Sequence, residues 1–278
     1  ARVKDHGYAA PTPATDGKHL YVFFGKSGVL KFDLTGKQLW HADVGSKTHS
    51  WGCGTSPVLF ENVVIVNASV ERGSLISLAK QSGKERWRAG GMKRSWNTPH
   101  LVEVDGGRTE IVVSVKGSIL GFDPKTGKEL WRQTASQGIP HEGHHGDNNF
   151  ASGSPTTDGE RLYCWFGSAG LYCYDLDGKK IWQRDLGKAH MGSSLGEGCS
   201  PVVHDGKIVI VRDQSRQSTI EVLDAKSGKT LWKKDREESN SWATPVVLEH
   251  SGRTQVIAAA SRRIRSYDLD DGSIIWQC

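Results

Sequence analysis

The densest group of metal-ligating side chains in the 278-residue chain is His141-Glu142-Gly143-His144-His145-Gly146-Asp147. His141, His144, His145 and Asp147 offer imidazole and carboxylate donors that suit zinc or another transition metal. The spacing matches no zinc-protease motif, and no helical period runs through it. A His-rich loop that hydrogen-bonds to its neighbours is the competing reading, so metal binding here is one of two alternatives. The five cysteines, Cys53, Cys164, Cys173, Cys199 and Cys278, contain no CxxC pair and are too spread for a disulfide framework. Cys164 and Cys173 flank the Gly167–Gly170 turn. Pairing Phe166 with Leu171 would set the two sulfurs opposite each other, as a strained disulfide or, as expected, as two small buried thiols. Cys53 and Cys199 carry no assigned chemistry, and no Asp or Glu stands in an enzyme-like motif.

Charge narrows the partners. The 36 Lys and Arg against 31 Asp and Glu leave +5, with no basic stripe, so no nucleic-acid partner is expected. No apolar run approaches the roughly 18–20 residues that span a bilayer, so no transmembrane segment is expected, although peripheral membrane association stays open. Ala1 opens no charged stretch followed by an apolar one, so no signal peptide is visible.

The elements that position these groups follow from a repeat. Six tryptophans close a glycine turn in FDLTGKQLW (Trp40), LAKQSGKERW (Trp87), FDPKTGKELW (Trp131), YDLDGKKIW (Trp182), LDAKSGKTLW (Trp232) and YDLDDGSIIW (Trp276). A Ser-Pro or Thr-Pro pair recurs upstream of each, at Pro13, Pro57, Pro99, Pro155, Pro201 and Pro245. Two independent marks in six units define the organisation: one domain of units near 7–46, 47–90, 91–135, 136–187, 188–235 and 236–278. Within a unit the pattern is short β-rich runs cut by glycine turns, as in His19–Phe24, Val29–Asp33 and Gln38–Asp43. Four antiparallel strands in that span make a propeller blade, so the fold class is an all-β propeller.

Each mark has a physical task. Gly36, Gly83, Gly127, Gly178, Gly228 and Gly272 sit where a hairpin turn needs a positive φ. Asp33, Asp123, Asp175, Asp224 and Asp268 precede the turn and can accept its backbone N–H groups. The second unit carries Ala79 there, which predicts a looser turn. The six tryptophans are expected to lie flat between neighbouring blades, each burying roughly 150–250 Å².

The motif resembles the tryptophan-docking repeat of the propellers named after pyrroloquinoline quinone, PQQ. Quinoprotein alcohol dehydrogenases and BamB-like outer-membrane assembly proteins belong to that family. The stretches YAAPTPATDGKHLYVFFGKSGVLKFDLTGKQLW, RLYCWFGSAGLYCYDLDGKKIW and LGEGCSPVVHDGKIVIVRDQ carry the resemblance, which covers the whole chain. It implies an eight-bladed ring and a periplasmic or otherwise extracytoplasmic place. Six units therefore read as part of a longer ring, with a closed six-bladed ring as the alternative.

Function is expected on the face formed by the second-to-third strand loops and the connections between blades. That face gathers His49, Trp51, Arg94, Trp96, His190, Arg216, Trp242, Arg262 and Arg263. The mixture suits a peptide or protein partner. Trp51, Trp96 and Trp242 share a Ser-Trp phase and can instead plug the channel mouth. Three function classes follow. The first is a monomeric, non-catalytic protein-interaction scaffold of BamB type, with no cofactor. The second is a dehydrogenase dependent on PQQ and Ca²⁺; the resemblance implies an adjacent Cys pair and a Glu, Asn and Asp calcium site there, and no such residue carries over. The third is a carbohydrate- or small-ligand-binding propeller using Trp51, Trp96 and Trp242.

Overall fold

Short runs of Val, Ile, Leu, Tyr and Phe, punctuated by glycine, pack best on a pleated surface, and the chain forms strands almost throughout. A computed structural model describes residues 10–49, 52–104, 107–134, 153–192 and 196–278. Blade one pairs Ala14–Thr15, His19–Phe23, Val29–Asp33 and Gln38–Ala42. Blade two pairs Val58–Phe60, Val63–Ala68, Ser74–Ala79 and Glu85–Ala89. Blade three pairs His100–Val104, Arg108–Val115, Ser118–Phe122 and Glu129–Thr134. Blade four pairs Thr156–Thr157, Arg161–Trp165, Leu171–Asp175 and Lys180–Arg184. Blade five pairs Val202–His204, Lys207–Arg212, Ser218–Asp224 and Thr230–Arg236. Blade six pairs Val246–His250, Arg253–Ala259, Ile264–Asp268 and Ile274–Gln277. Each blade is a four-stranded antiparallel sheet in chain order, one per repeat.

The third and fourth strands of every blade meet at a register shift, and the docking tryptophan sits beside it in all six. Trp40 faces Lys31, Trp87 faces Ser77, Trp131 faces Gly121, Trp182 faces Cys173, Trp232 faces Val222 and Trp276 faces Ser266. The extra residue bends the outer strand and re-aims its side chains. The turn before it closes as the sequence requires. Asp33 accepts the N–H groups of Thr35 and Lys37, and Asp123 those of Lys125 and Thr126. The Ala79 turn is not looser: Gly83 N–H reaches the Ala79 carbonyl at 2.9 Å, as Gly127 N–H reaches Asp123 at 2.8 Å. Backbone bonds and the positive φ of Gly83 hold it without the carboxylate.

The chain divides into two compact units, residues 1–135 and 136–278, with three blades each. In the first, Tyr21, Phe23 and Val29 of blade one pack on Val64, Val66 and Ile76 of blade two, and Ile65 and Leu75 pack on Ile111 and Val113 of blade three. In the second, one cluster joins Tyr163, Leu171 and Cys173 to Val209, Ile210, Val222, Val256 and Tyr267.

Residue by residue the two units repeat one another. Tyr21 donates its hydroxyl to Asp16 (3.0 Å) and Tyr163 to Asp158 (2.6 Å). A 3-10 turn follows at Gly25–Ser27 and at Gly167–Ala169. Trp96 donates to the Gly52 carbonyl (3.2 Å) and Trp242 to that of Gly196 (2.8 Å). Trp131 donates to Glu110 (2.8 Å) and Trp276 to Gln255 (3.1 Å). The repeating element is thus a triplet of unlike blades as well as a single blade.

Candidate functional site

Two kinds of pin join neighbouring blades. The first is the indole. Trp40 Nε1 donates to the Lys80 carbonyl (2.9 Å), Trp87 to Pro124 (2.9 Å), Trp182 to Ala225 (3.2 Å) and Trp232 to Leu269 (2.8 Å). Each acceptor lies in the glycine turn of the next blade, and the ring lies on that turn's glycine: a Cβ on Gly83 would stand 2.9 Å from Trp40. The second pin explains the Ser-Pro and Thr-Pro marks. Thr12 N–H donates to Ser56 Oγ (2.9 Å), Ser56 N–H to Thr98 Oγ1 (3.0 Å), Ser154 N–H to Ser200 Oγ (2.9 Å) and Ser200 N–H to Thr244 Oγ1 (3.1 Å). The next residue is proline, which has no N–H to give, so the hydroxyl residue supplies both donor and acceptor.

With those residues assigned to structure, the loop end of each blade is left for function. In unit one, His49 does not stand on that face. It is buried, and its ring meets Trp96 edge to face at 5.0 Å. Trp96 is half-buried and holds the 52–54 connection, while Arg94 is exposed. Trp51 and the cluster of His141, His144, His145 and Asp147 lie outside the described residues. Among the described residues, no group of three or more His, Cys, Asp or Glu is placed to hold a metal ion.

Unit two shows a laced loop surface. Ser215 N–H donates to the His190 carbonyl (2.8 Å). Asn240 Oδ1 accepts from Gly192 N–H (3.2 Å) and from Ser215 Oγ (3.0 Å), and Ser239 and Ser261 share a hydroxyl contact (2.8 Å). Loops 188–192, 213–217, 237–242 and 260–263 therefore form one surface. Lys188, Arg216 and Arg262 are exposed on it, His190 is half-buried, and Trp242 is 42% exposed. Arg263 pairs with Glu237 at 3.1 Å.

Beneath the loops lie ions that sequence reasoning missed. Arg236 and Asp213 are fully buried and paired at 2.8 Å, and Arg236 also donates to Tyr267 Oη (2.9 Å). Burial pushes the Asp213 carboxyl up, and the Arg236 bonds oppose that shift. Arg212 pairs with Glu197 (3.2 Å) and donates to the Leu186 and Gly187 carbonyls, while Ser168 Oγ donates to Glu197 (2.6 Å). These carboxylates are already satisfied and act as struts. In unit one Glu71 is different: it is buried, its Oε2 has no partner, and burial pushes its carboxyl up to about 7. Charged residues at the end of an apolar run, such as Arg212 and Asp213 after Ile208–Val211, give no sequence signal of which distant partner they pair with.

The thiols correct one expectation. Trp165, not Phe166, pairs with Leu171, so Cys164 lies opposite Tyr172 and Cys173 opposite Tyr163. Adjacent strand positions face opposite sides, so the two sulfurs point apart. All five cysteines are free, and all but Cys278 are buried. Burial pushes the Cys53, Cys173 and Cys199 thiols up to about 12, the Asp213 and Glu197 charges adding to the shift at Cys199. A quinone cofactor of the family's dehydrogenases calls for an adjacent cysteine pair and unspent calcium-binding carboxylates. Among the described residues no two cysteines are adjacent, and Asp213 and Glu197 are each paired with an arginine.

Comparison with known proteins agrees with this architecture. A family model described as outer membrane protein assembly factor BamB matches residues 25–147 and 115–278. Outer membrane protein assembly factor BamB of Burkholderia pseudomallei (strain K96243) is 24% identical over 270 residues. The match covers 94% of this chain but 63% of that protein, so the chain spans less than two thirds of its curated relative. The crystal structure of BamB from Moraxella catarrhalis superposes with a TM-score of 0.65 at 16% identity, covering 97% of this chain and 73% of that one. Quinohemoprotein alcohol dehydrogenase from Comamonas testosteroni superposes at 0.69 and 13% identity, covering 96% and 58%. Both likenesses show the fold, a β-propeller of PQQ-like repeats. On the family match across nearly its whole length, the chain belongs to the BamB family of outer membrane protein assembly factors.

Proposed function

We propose that this propeller is a non-catalytic scaffold that holds a protein partner on its loop face in the periplasm, in the service of outer-membrane protein assembly. The observation that carries the reading is the laced surface of unit two, where Asn240 and the Ser239–Ser261 contact fix four loops into one platform. A rigid platform loses little entropy on binding. Its exposed Lys188, Arg216 and Arg262 suit an acidic segment, with Trp242 as an aromatic anchor. The names of the B. pseudomallei and M. catarrhalis relatives support the cellular role. No helix among the described residues is long and apolar enough to cross a membrane.

The test is complementation. In a host lacking its own copy, the full-length gene restores the level of folded outer-membrane β-barrels. An Arg216→Glu/Arg262→Glu variant of equal abundance does not. Saturable PQQ binding with Ca²⁺-dependent dye reduction by an alcohol would overturn the reading in favour of a dehydrogenase.

A further inference from the structure

A groove of about 720 Å³ opens between blades one and two, at the glycine-turn end of their strands. Both walls belong to unit one and are joined by the Trp40 bond to Lys80. The three carboxylates that line it are committed. Asp16 accepts from the N–H groups of Lys18 (3.0 Å) and His19 (2.8 Å) and from the Tyr21 hydroxyl (3.0 Å). Glu61 pairs with Lys125 of blade three (3.0 Å) and Glu85 with Arg88, and neither of those cations lines the groove. The four cations that line it are not committed. Lys80 Nζ donates to the Glu61 carbonyl (2.7 Å), a neutral acceptor. Lys18, Lys84 and Arg86 are exposed, and among the described residues no carboxylate pairs with them. Cations gathered around one cleft without counter-ions raise its local positive potential.

The fold does not require these cations, because unit two builds the same junction without most of them. Asp158 accepts from the N–H groups of Glu160 and Arg161 as Asp16 does from those of Lys18 and His19, so Glu160 is the counterpart of Lys18. Counted back from Trp87 and Trp232, Lys80 corresponds to Ala225, Arg86 to Leu231 and Lys84 to Lys229. Trp182 still donates to the Ala225 carbonyl (3.2 Å) as Trp40 does to that of Lys80 (2.9 Å). The turns also close alike, Gly228 N–H on Asp224 at 2.8 Å and Gly83 N–H on Ala79 at 2.9 Å. Relative to unit two, the groove gains positive charge at Lys18, Lys80 and Arg86 and lacks at Ala79 the acid that Asp224 supplies.

We infer that this groove binds an acidic, extended peptide segment, as a partner site additional to the loop platform of unit two. Its cations stand on three separate segments: the first hairpin of blade one, the glycine turn of blade two and the strand Glu85–Ala89. Charges spread in this way meet carboxylates spaced along a chain better than one compact oxyanion. Exposed Asn62, Gln81 and Ser82 line the same groove, and their amides and hydroxyl both donate and accept, as peptide groups require. The volume falls within the roughly 300–1,000 Å³ of clefts that hold ligands.

Fluorescence anisotropy of a labelled peptide of alternating Glu and Ser tests this, with the chain titrated from about 1 µM to about 1 mM. The titration is run on the wild type and in an Arg216→Glu/Arg262→Glu background, which silences the loop platform. Saturable binding that weakens with salt is expected in both. Lys18→Glu/Lys80→Ala/Arg86→Leu installs the residues of unit two and lowers the affinity about tenfold in either background, the loss of several exposed charge pairs. Lys18→Glu/Arg86→Glu, at two exposed positions, does the same. Lys226→Glu/Lys229→Glu also reverses two charges and leaves the affinity unchanged. Unchanged circular dichroism and melting establish that the variants fold. Three results overturn the inference: no binding to the Arg216→Glu/Arg262→Glu protein, equal losses in the groove variants and in Lys226→Glu/Lys229→Glu, or binding of tripolyphosphate in place of the peptide.

Discussion

Trp40 reaches forward 40 residues to donate its indole N–H to the Lys80 carbonyl, and its ring covers Gly83 in the same turn. One side chain thus makes the polar and the apolar contact between two blades. The residue beneath it must lack a side chain. Gly83→Ala is therefore expected to destabilise the protein by about 2–4 kcal/mol, from a positive φ of 71° and a clash with the ring. Gly17→Ala is the control. Its φ of 82° is similar but its surroundings are open, so the cost falls to about 1 kcal/mol. Urea unfolding of the two variants measures the difference.

Glu71 makes stability depend on pH. Burial raises its carboxyl from the ordinary 4.5 to about 7, so the native state keeps the proton longer than the unfolded chain. Its contribution is fully present below about 4.5 and is lost as pH rises towards 7. Glu71→Gln removes that loss. The variant should gain on the wild type between pH 4 and pH 8, by up to about 3 kcal/mol, as read from paired denaturation curves. An equal stability difference at both pH values would show that Glu71 does not titrate in this range.

Arg236 and Asp213 form a buried pair with no exposure on either side chain. Arg236→Met leaves a buried carboxylate without its partner and is expected to cost about 3–5 kcal/mol. Arg236→Met/Asp213→Leu removes both charges and should recover most of that loss. Thermal unfolding of the wild type, the two single variants and the double variant gives the coupling.

The cysteines should react as one exposed thiol and four protected ones. Cys278 is exposed, and Cys53, Cys164, Cys173 and Cys199 are buried. Ellman's reagent at pH 8 should titrate one thiol per native chain and five after denaturation. Fewer than five in denaturant without reductant would reveal a disulfide.

Much of this molecule was legible in the chain. Glycine turns, the aspartates before them and the tryptophans after them recur because each turn imposes a local backbone requirement that few residues meet. Local requirements leave a sequence signature, so strand number, turn chemistry and the docking role of Trp40, Trp87, Trp182 and Trp232 follow from spacing. The Cys164–Cys173 register did not follow, because one residue of slip turns a strand's side chains over and only the closure of the 3-10 turn sets it. His49 is polar and lies in a connection, which reads as surface, yet packing against Trp96 buries it. The Asp213–Arg236 and Glu197–Arg212 pairs join residues 23 and 15 positions apart across separate elements. Burial and pairing are properties of neighbours in space, so only the tertiary structure decides them.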